Sequence, residues 1–335
     1  MLSSRVSVAE DLTLEQALGE LKTKYHHDKA INIMRELCLE SRSDDFIKKG
    51  MEFLFMNGFY EDLQALIKKN LKSKDVSVIN WAKTYQAQLE LHHKDKPYLA
   101  LLADLNEIKT AEPELLFLME YTRAKAHYIG RDYNELAEFV EKSDSMLNLI
   151  DDCFLLKNFR IRASCMVLLY TLTRNELIIA RKHGYKILTL TRNPSIQVNV
   201  HIHLGLSYTF ESHYKGMYHL KEALRIAKEH HLSKEAFIIE HRSIPFLSAH
   251  FGVVDNITTT DKSEQAHIEI AKGNNDKAIE ILNEIPLDSP FKTYYLGKAK
   301  EDKSLLLKSY REFIHKNKDF FFSRLPLTEL KKTFV

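Results

Sequence analysis

The chain has 335 residues and a formal net charge of +2, with 44% hydrophobic and 28% charged residues, so its overall field gives no sign of a dedicated nucleic-acid binder. Its length exceeds the ~250–300 residues at which one core stops growing, which predicts two domains or one elongated array. Ten glycines and seven prolines, where average usage would give about 23 and 17, exclude a turn-rich β architecture and point to an all-helical one.

The N-terminus, MLSSRVSVAEDLTLEQ, has no apolar signal core, and no run of 18 apolar residues follows. The expected location is therefore the cytoplasm, with no membrane partner. Asp44 opens a helix carrying Phe46, Met51, Phe53, Leu54 and Phe55, and Gly58 ends it. A second helix starts at Tyr60 and runs through Leu63, Leu66, Ile67 and Leu71. The lysine-rich run IKKNLKSK at 67–74 reads as a solvated helix end rather than a phosphate track. Residues 112–129 form another helix, with Pro113 in its first turn and Gly130 as its stop.

The joints resemble one another. FMNGFYEDLQALI, HYIGRDYNELAEF and EIAKGNNDKAIEIL each read as a helix end at Gly58, Gly130 or Gly273, a short polar turn and a new helix. Weaker copies lie around Lys94, Arg174 and Ser212. The period approaches the ~34 residues of tetratricopeptide hairpins. A glycine at each joint suits the positive φ that follows many helix ends. One hairpin cannot bury its own apolar face, so the expected fold is all-α, a right-handed superhelix of tetratricopeptide-like hairpins. FGVVDNITTTDKSEQ at 251–265 interrupts the pattern and reads as a loop.

Little catalytic chemistry is visible. The sixteen histidines include adjacent pairs, which diverge on a helix and chelate poorly. HExxH, paired CxxC, GxGxxG, GxxxxGK[ST] and GxSxG are all absent. The expectation is a protein that is not an enzyme, with no cofactor and no metal. Cys38, Cys153 and Cys165 are odd in number and far apart, which suits a reducing compartment, and all three are expected to be buried. Two acids stand out against this background. Glu264 follows the loop at a helix start, and Asp319 precedes three phenylalanines in DFFFSRLPLTELKK. Facing one groove, they could grip an arginine, although an acid at a helix start more often serves as a cap.

Those residues carry a resemblance. DFFFSRLPLTELKK, EQAHIEIAKGNNDKAIEILNEIP, KTYYLGKAKEDKSLLLKSYREF and RNELIIARKHGYKIL resemble the arbitrium receptor (AimR) family, within the Rap/NprR/PlcR-type tetratricopeptide peptide receptors. The likeness runs from about Thr13 to Lys332 and is closest after residue 264. It implies a homodimeric receptor for a short signalling peptide, a hexapeptide ending Arg-Gly-Ala, which regulates transcription in the lysis–lysogeny decision of a phage. It also implies that Glu264 and Asp319 hold the peptide arginine, with Phe321 in the aromatic run that anchors a lid. Where the family uses amide, threonine and arginine side chains for the peptide backbone and carboxylate, this chain aligns Leu169, Ser195, His203 and Leu206. Another cation must then replace the carboxylate clamp, and Arg192 and Arg174 are the candidates. The family further implies DNA as a partner, read by an N-terminal helix-turn-helix. About a dozen residues cannot supply two packed helices, so the expectation is either a naturally shortened member of the family or DNA binding that is weak or absent, with DNA a possible but doubtful partner. The expected organisation is a remnant at 1–12, a superhelix at 13–250, a loop at 251–263 and C-terminal repeats with capping and dimerisation helices at 264–335. An alternative reading is a Rap-like or generic repeat adaptor that binds a peptide and regulates a partner protein.

Overall fold

The structure, a computed structural model, describes residues 12–41, 43–93, 96–130 and 132–332. The expected remnant at 1–12 lies, up to residue 11, outside the described residues, as does the weak joint at Lys94. Among the described residues every regular element is helical. The all-α fold of successive helical hairpins is thus present. No described helix is long and apolar enough to cross a membrane.

The chain forms two compact units. The first takes in the chain to Gly130 and again Glu135–Ala163. It holds α1 (Leu14–Lys24), α2 (His27–Glu40), α3 (Asp44–Met56), α4 (Tyr60–Asn70), α5 (Val76–His93), α6 (Tyr98–Asn106), α7 (Pro113–Ile129), α8 (Asn134–Leu147) and the first half of α9 (Cys153–Thr173). Its core contains a polar network. Arg162 donates to both oxygens of Glu52 at 3.0 and 2.6 Å, and to Gln88 at 3.2 Å. Tyr85 also donates to Glu52, at 2.7 Å, and Gln88 donates to Thr122 at 2.6 Å. The guanidinium lies 4.3 Å from the Phe55 ring centroid. With all its members buried, such a network is stable only when each polar group is satisfied.

The second unit takes in the chain from Ser164 onward, together with residues 132–134. After α9 come α10 (Leu177–Leu190), α11 (Pro194–Ser207), α12 (His213–Glu229), α13 (Ser233–Ile238) and α14 (Ile244–His250). The loop at 251–261 leads into α15 (Lys262–Ala271), α16 (Asn275–Asn283), α17 (Pro290–Ala299), α18 (Lys303–Arg311) and α19 (Arg324–Lys332). Helices α11 and α12 approach closely because each presents a glycine. A Cβ on Gly205 would sit 3.0 Å from the carbonyl oxygen of Gly216 and 2.8 Å from Leu220.

The joints obey two different rules. Gly58 and Gly273 take φ of +80° and +83°, as the helix-end argument requires. Gly130 does not: its φ is −72°. It is small for another reason, since a Cβ there would stand 2.6 Å from the Tyr98 ring. At Arg174 the left-handed residue is Asn175, with φ of +64°, an amide being the next best occupant after glycine. The thiols depart from expectation as well. Cys38 is buried, but Cys153 is exposed and Cys165 intermediate, because Cys153 is the first residue of α9 rather than part of its packed stripe.

Candidate functional site: two buried acids

Each acid is placed by an irregular turn. Pro245 lacks an N–H and cannot bond to the carbonyl four residues back, and a single π turn, Ile239–Ser243, precedes it. The carbonyl of His241 instead accepts from the Thr259 hydroxyl at 2.6 Å, and the Thr260 N–H donates to His241 Nδ1 at 3.2 Å. Arg242 pairs with Asp261 at 2.9 Å. These bonds tie the threonine-rich loop to the π turn and so set the start of α15. Asp261 is the N-cap there, accepting from the Ser263 and Glu264 N–H groups. Glu264 is therefore not the cap, and its side chain turns inward, 8% exposed.

A second π turn, Glu312–Lys316, closes α18. Lys318 then takes φ of +52°, and the Asp319 N–H bonds to the Phe313 carbonyl at 2.9 Å. Asp319 is 7% exposed, and its Oδ1 accepts from the Phe322 N–H at 2.9 Å. This acid does act partly as a cap, for the turn that leads into α19. Pro326 is the third residue of that helix, where its missing N–H costs no intrahelical bond.

The aromatic run covers the end of α9. Phe320 and Phe321 both donate backbone N–H groups to the Thr173 carbonyl, at 2.8 and 3.2 Å. Arg174 lies over the Phe320 ring at 5.0 Å. Arg324 lies over Phe210 at 4.1 Å and donates to Asn175 at 3.1 Å. Phe321 is fully buried, edge-on to Phe210 at 5.2 Å and to Phe322 at 4.9 Å. From Phe322 the ring contacts continue to Phe246 (5.7 Å), His267 (5.7 Å) and Tyr295 (4.3 Å). Tyr295 ends at Glu264, donating to its two oxygens at 3.1 and 3.3 Å. The two acids thus share one aromatic wall without bonding to each other.

Their electrostatic state is unusual. Among the described residues the buried acids are Glu52, Glu264, Glu269 and Asp319. Glu52 has Arg162, and Glu269 has Lys272 and Lys277. Among the same residues no lysine or arginine pairs with Glu264, whose partners are Tyr295 and His267, or with Asp319. Burial pushes the Glu264 carboxyl up to about 8, against the hydrogen bond from Tyr295, and Asp319 up to about 7, against the backbone donors. An uncompensated buried charge is costly, so near neutral pH Glu264 favours its neutral form while Asp319 is divided between its neutral and charged forms.

The other expected residues fall into three groups. Leu206 packs against the cluster that holds Phe246, Tyr295 and Leu325, with Phe322 beside it. His203, on the same helix, is half-buried, and desolvation lowers its imidazole to about 4. Leu169 is buried on α9, and Ser195 is buried at the start of α11, its N–H donating to the Asn193 cap at 2.9 Å. Arg192 is exposed in the turn before α11. Of the two candidate cations only Arg174 touches the C-terminal segment. Phe321 contributes core packing rather than a surface. Sequence reasoning missed His267 and Tyr295. His267 stands three residues after Glu264, the spacing of neighbours on one helix face. Tyr295 is 31 residues away and leaves no local signal.

A family described as AimR transcriptional regulator-like matches residues 30–332. The AimR transcriptional regulator of Bacillus phage SPbeta is 22% identical over 330 residues, covering 93% of this chain and 83% of its own. The SPbeta prophage-derived uncharacterized protein YopK of Bacillus subtilis (strain 168) matches to the same extent. Among solved structures, phAimR with ligand superposes with a TM-score of 0.78 at 20% identity, covering 91% of this chain and 93% of that one. Selenomethionine phAimR gives 0.69 at 21% identity, covering 95% and 85%.

Proposed function

The chain belongs to the AimR transcriptional regulator-like family, and on that premise we propose that it is a receptor for a short signalling peptide of the arbitrium type, which regulates transcription in a phage's lysis–lysogeny decision as a homodimer in the bacterial cytoplasm. The observation that carries this reading is the pair of buried acids without a cation, Glu264 and Asp319, on one aromatic wall. A guanidinium is the matching ligand group, because its planar fork bonds carboxylates bidentately and carries a charge that does not titrate.

In this reading the peptide arginine docks between Glu264 and Asp319, and Leu169, Ser195, His203 and Leu206 line its path. Arg174 rather than Arg192 takes the terminal carboxylate, since it already lies against Phe320, next to Asp319. The match to phAimR with ligand supports the choice of a ligand-binding regulator.

A thermal-shift screen with synthetic hexapeptides ending in Arg-Gly-Ala tests the proposal. A ligand at 100 times its Kd stabilises the fold by about 2.7 kcal/mol. A shift for one peptide, lost when its arginine becomes alanine, is the expected result. No shift with any of them contradicts the proposal and favours the repeat-adaptor reading.

A further inference from the structure

Asp319 is held by backbone N–H groups, but Glu264 is held by two neutral side chains. Tyr295 donates its hydroxyl to both carboxyl oxygens, and His267 Nδ1 lies 3.4 Å from Oε2. The imidazole and phenol rings stack at 4.3 Å and 23°. All three side chains are buried, drawn from α15 and α17, and the Nε2 of His267 has no hydrogen-bond partner.

The charged groups around this triad are already engaged. Asp261, at the start of α15, pairs with Arg242 of the π turn. Lys298 of α17 pairs with Glu329 of α19 at 3.3 Å. His250 of α14 faces His267, and burial keeps both imidazoles neutral, lowering them to about 4 and about 3. Phe322 and Phe246, which lead to the triad from the C-terminal segment and α14, carry no charge. A buried carboxylate needs a counter-charge or a full set of donors. A neutral carboxyl needs neither, and its own O–H can donate to the imidazole.

Resting on the arginine reading above, we propose that Tyr295 and His267 are positioning residues that set the proton affinity of Glu264, so that capture of the ligand's guanidinium expels a proton from Glu264 and ties ligand affinity to pH. The O–H bond of Glu264 breaks, its proton passes to solvent, and the guanidinium takes over as the charge partner of the carboxylate. The phenol donates in both states. Burial favours the acid form of Glu264 at neutral pH, while the bond from Tyr295 pulls in the opposite direction and keeps the proton within reach of release. The site thereby separates arginine from neutral isosteres: only a cation can drive the proton off.

The test is titration calorimetry on the full chain with a hexapeptide ending Arg-Gly-Ala, and with the same peptide carrying citrulline for arginine. Phosphate and Tris buffers at pH 7 distinguish the heat of proton release from the heat of binding. The expected result is a buffer-dependent heat equivalent to about one proton from Glu264, with a smaller share from Asp319, for the arginine peptide and none for citrulline. The Kd of the arginine peptide should fall by up to about tenfold per pH unit between pH 6 and 8. Tyr295→Phe keeps the ring and removes the donor, so it should move that pH profile to higher pH, a readout that simple loosening of the core would not give. Glu264→Gln should remove most of the proton release. Arginine-peptide binding by the unaltered chain with buffer-independent heat overturns this proposal alone. Failure of every such peptide to bind overturns the arginine reading itself and this proposal with it.

Discussion

The carbonyl of Thr173 accepts the backbone N–H of Phe320 at 2.8 Å, and this bond seats the C-terminal segment on the end of α9. Beside it, Phe321 is completely buried. Replacing that ring by alanine is expected to cost about 3–5 kcal/mol, read by urea denaturation. Because Asp319 is held in the same turn, Phe321→Ala should also weaken the proposed peptide binding. Unchanged stability would mean that the segment is not docked as described.

The first unit rests on a different kind of contact. Arg162 and Glu52 are joined by two hydrogen bonds at 2.6 and 3.0 Å, with both residues buried. Arg162→Met strands the carboxylate and is expected to destabilise by about 3–5 kcal/mol, whereas combining it with Glu52→Gln should recover part of the loss. A thermodynamic cycle measured by chemical denaturation checks this. Strict additivity of the two changes would exclude the coupling.

Two glycines should respond in opposite directions to the same substitution. Gly205→Ala drives a methyl toward Leu220 and the Gly216 carbonyl and should destabilise by about 1–3 kcal/mol. A methyl group on Gly19, within α1, would meet nothing within 4 Å, so Gly19→Ala should stabilise by about 0.5–1 kcal/mol. Melting curves of the two variants settle both signs.

Stability of the unliganded chain should be greatest near pH ~6.5 and decline toward pH ~8.5. Glu264 and Asp319 hold protons up to about 8 and about 7 in the folded chain, against ordinary values of ~4.3 and ~3.9 when unfolded. The folded state therefore binds more protons across that window, and their contribution is lost as pH rises through 7 and 8. His203, His219 and His250, lowered to about 4, and His267, lowered to about 3, act in the opposite sense. Their contribution is lost as pH falls below the ordinary ~6.5. Glu264→Gln should flatten the alkaline decline in a pH series of melting temperatures. A melting temperature that rises steadily from pH 6.5 to 8.5 would refute the assignment.

Much of the helical order was legible in the sequence, because periodicity and helix-end glycines are local signals. The reason for each glycine was less so: Gly58 and Gly273 are left-handed, while Gly130 makes room for the Tyr98 ring. The acids were visible as charges beside apolar runs, but their roles depended on contacts distant in sequence. Whether Glu264 was a cap turned on Asp261 taking that position, and on a threonine loop bonded to the turn before Pro245. Tyr295, the direct donor to Glu264, comes from another helix, and no pattern in the sequence pairs them.

A double-mutant cycle tests whether Glu264 and Asp319 receive the arginine of a peptide. Glu264→Gln and Asp319→Asn preserve hydrogen-bond acceptors while removing the charge that binding requires. Calorimetric affinities of the unaltered chain and each variant would be measured for an Arg-Gly-Ala hexapeptide and its alanine counterpart. Each variant should lose more than about 1.5 kcal/mol toward the arginine peptide and almost nothing toward the alanine peptide, giving a coupling of similar size. Equal losses toward both peptides, or no loss toward either, would contradict it.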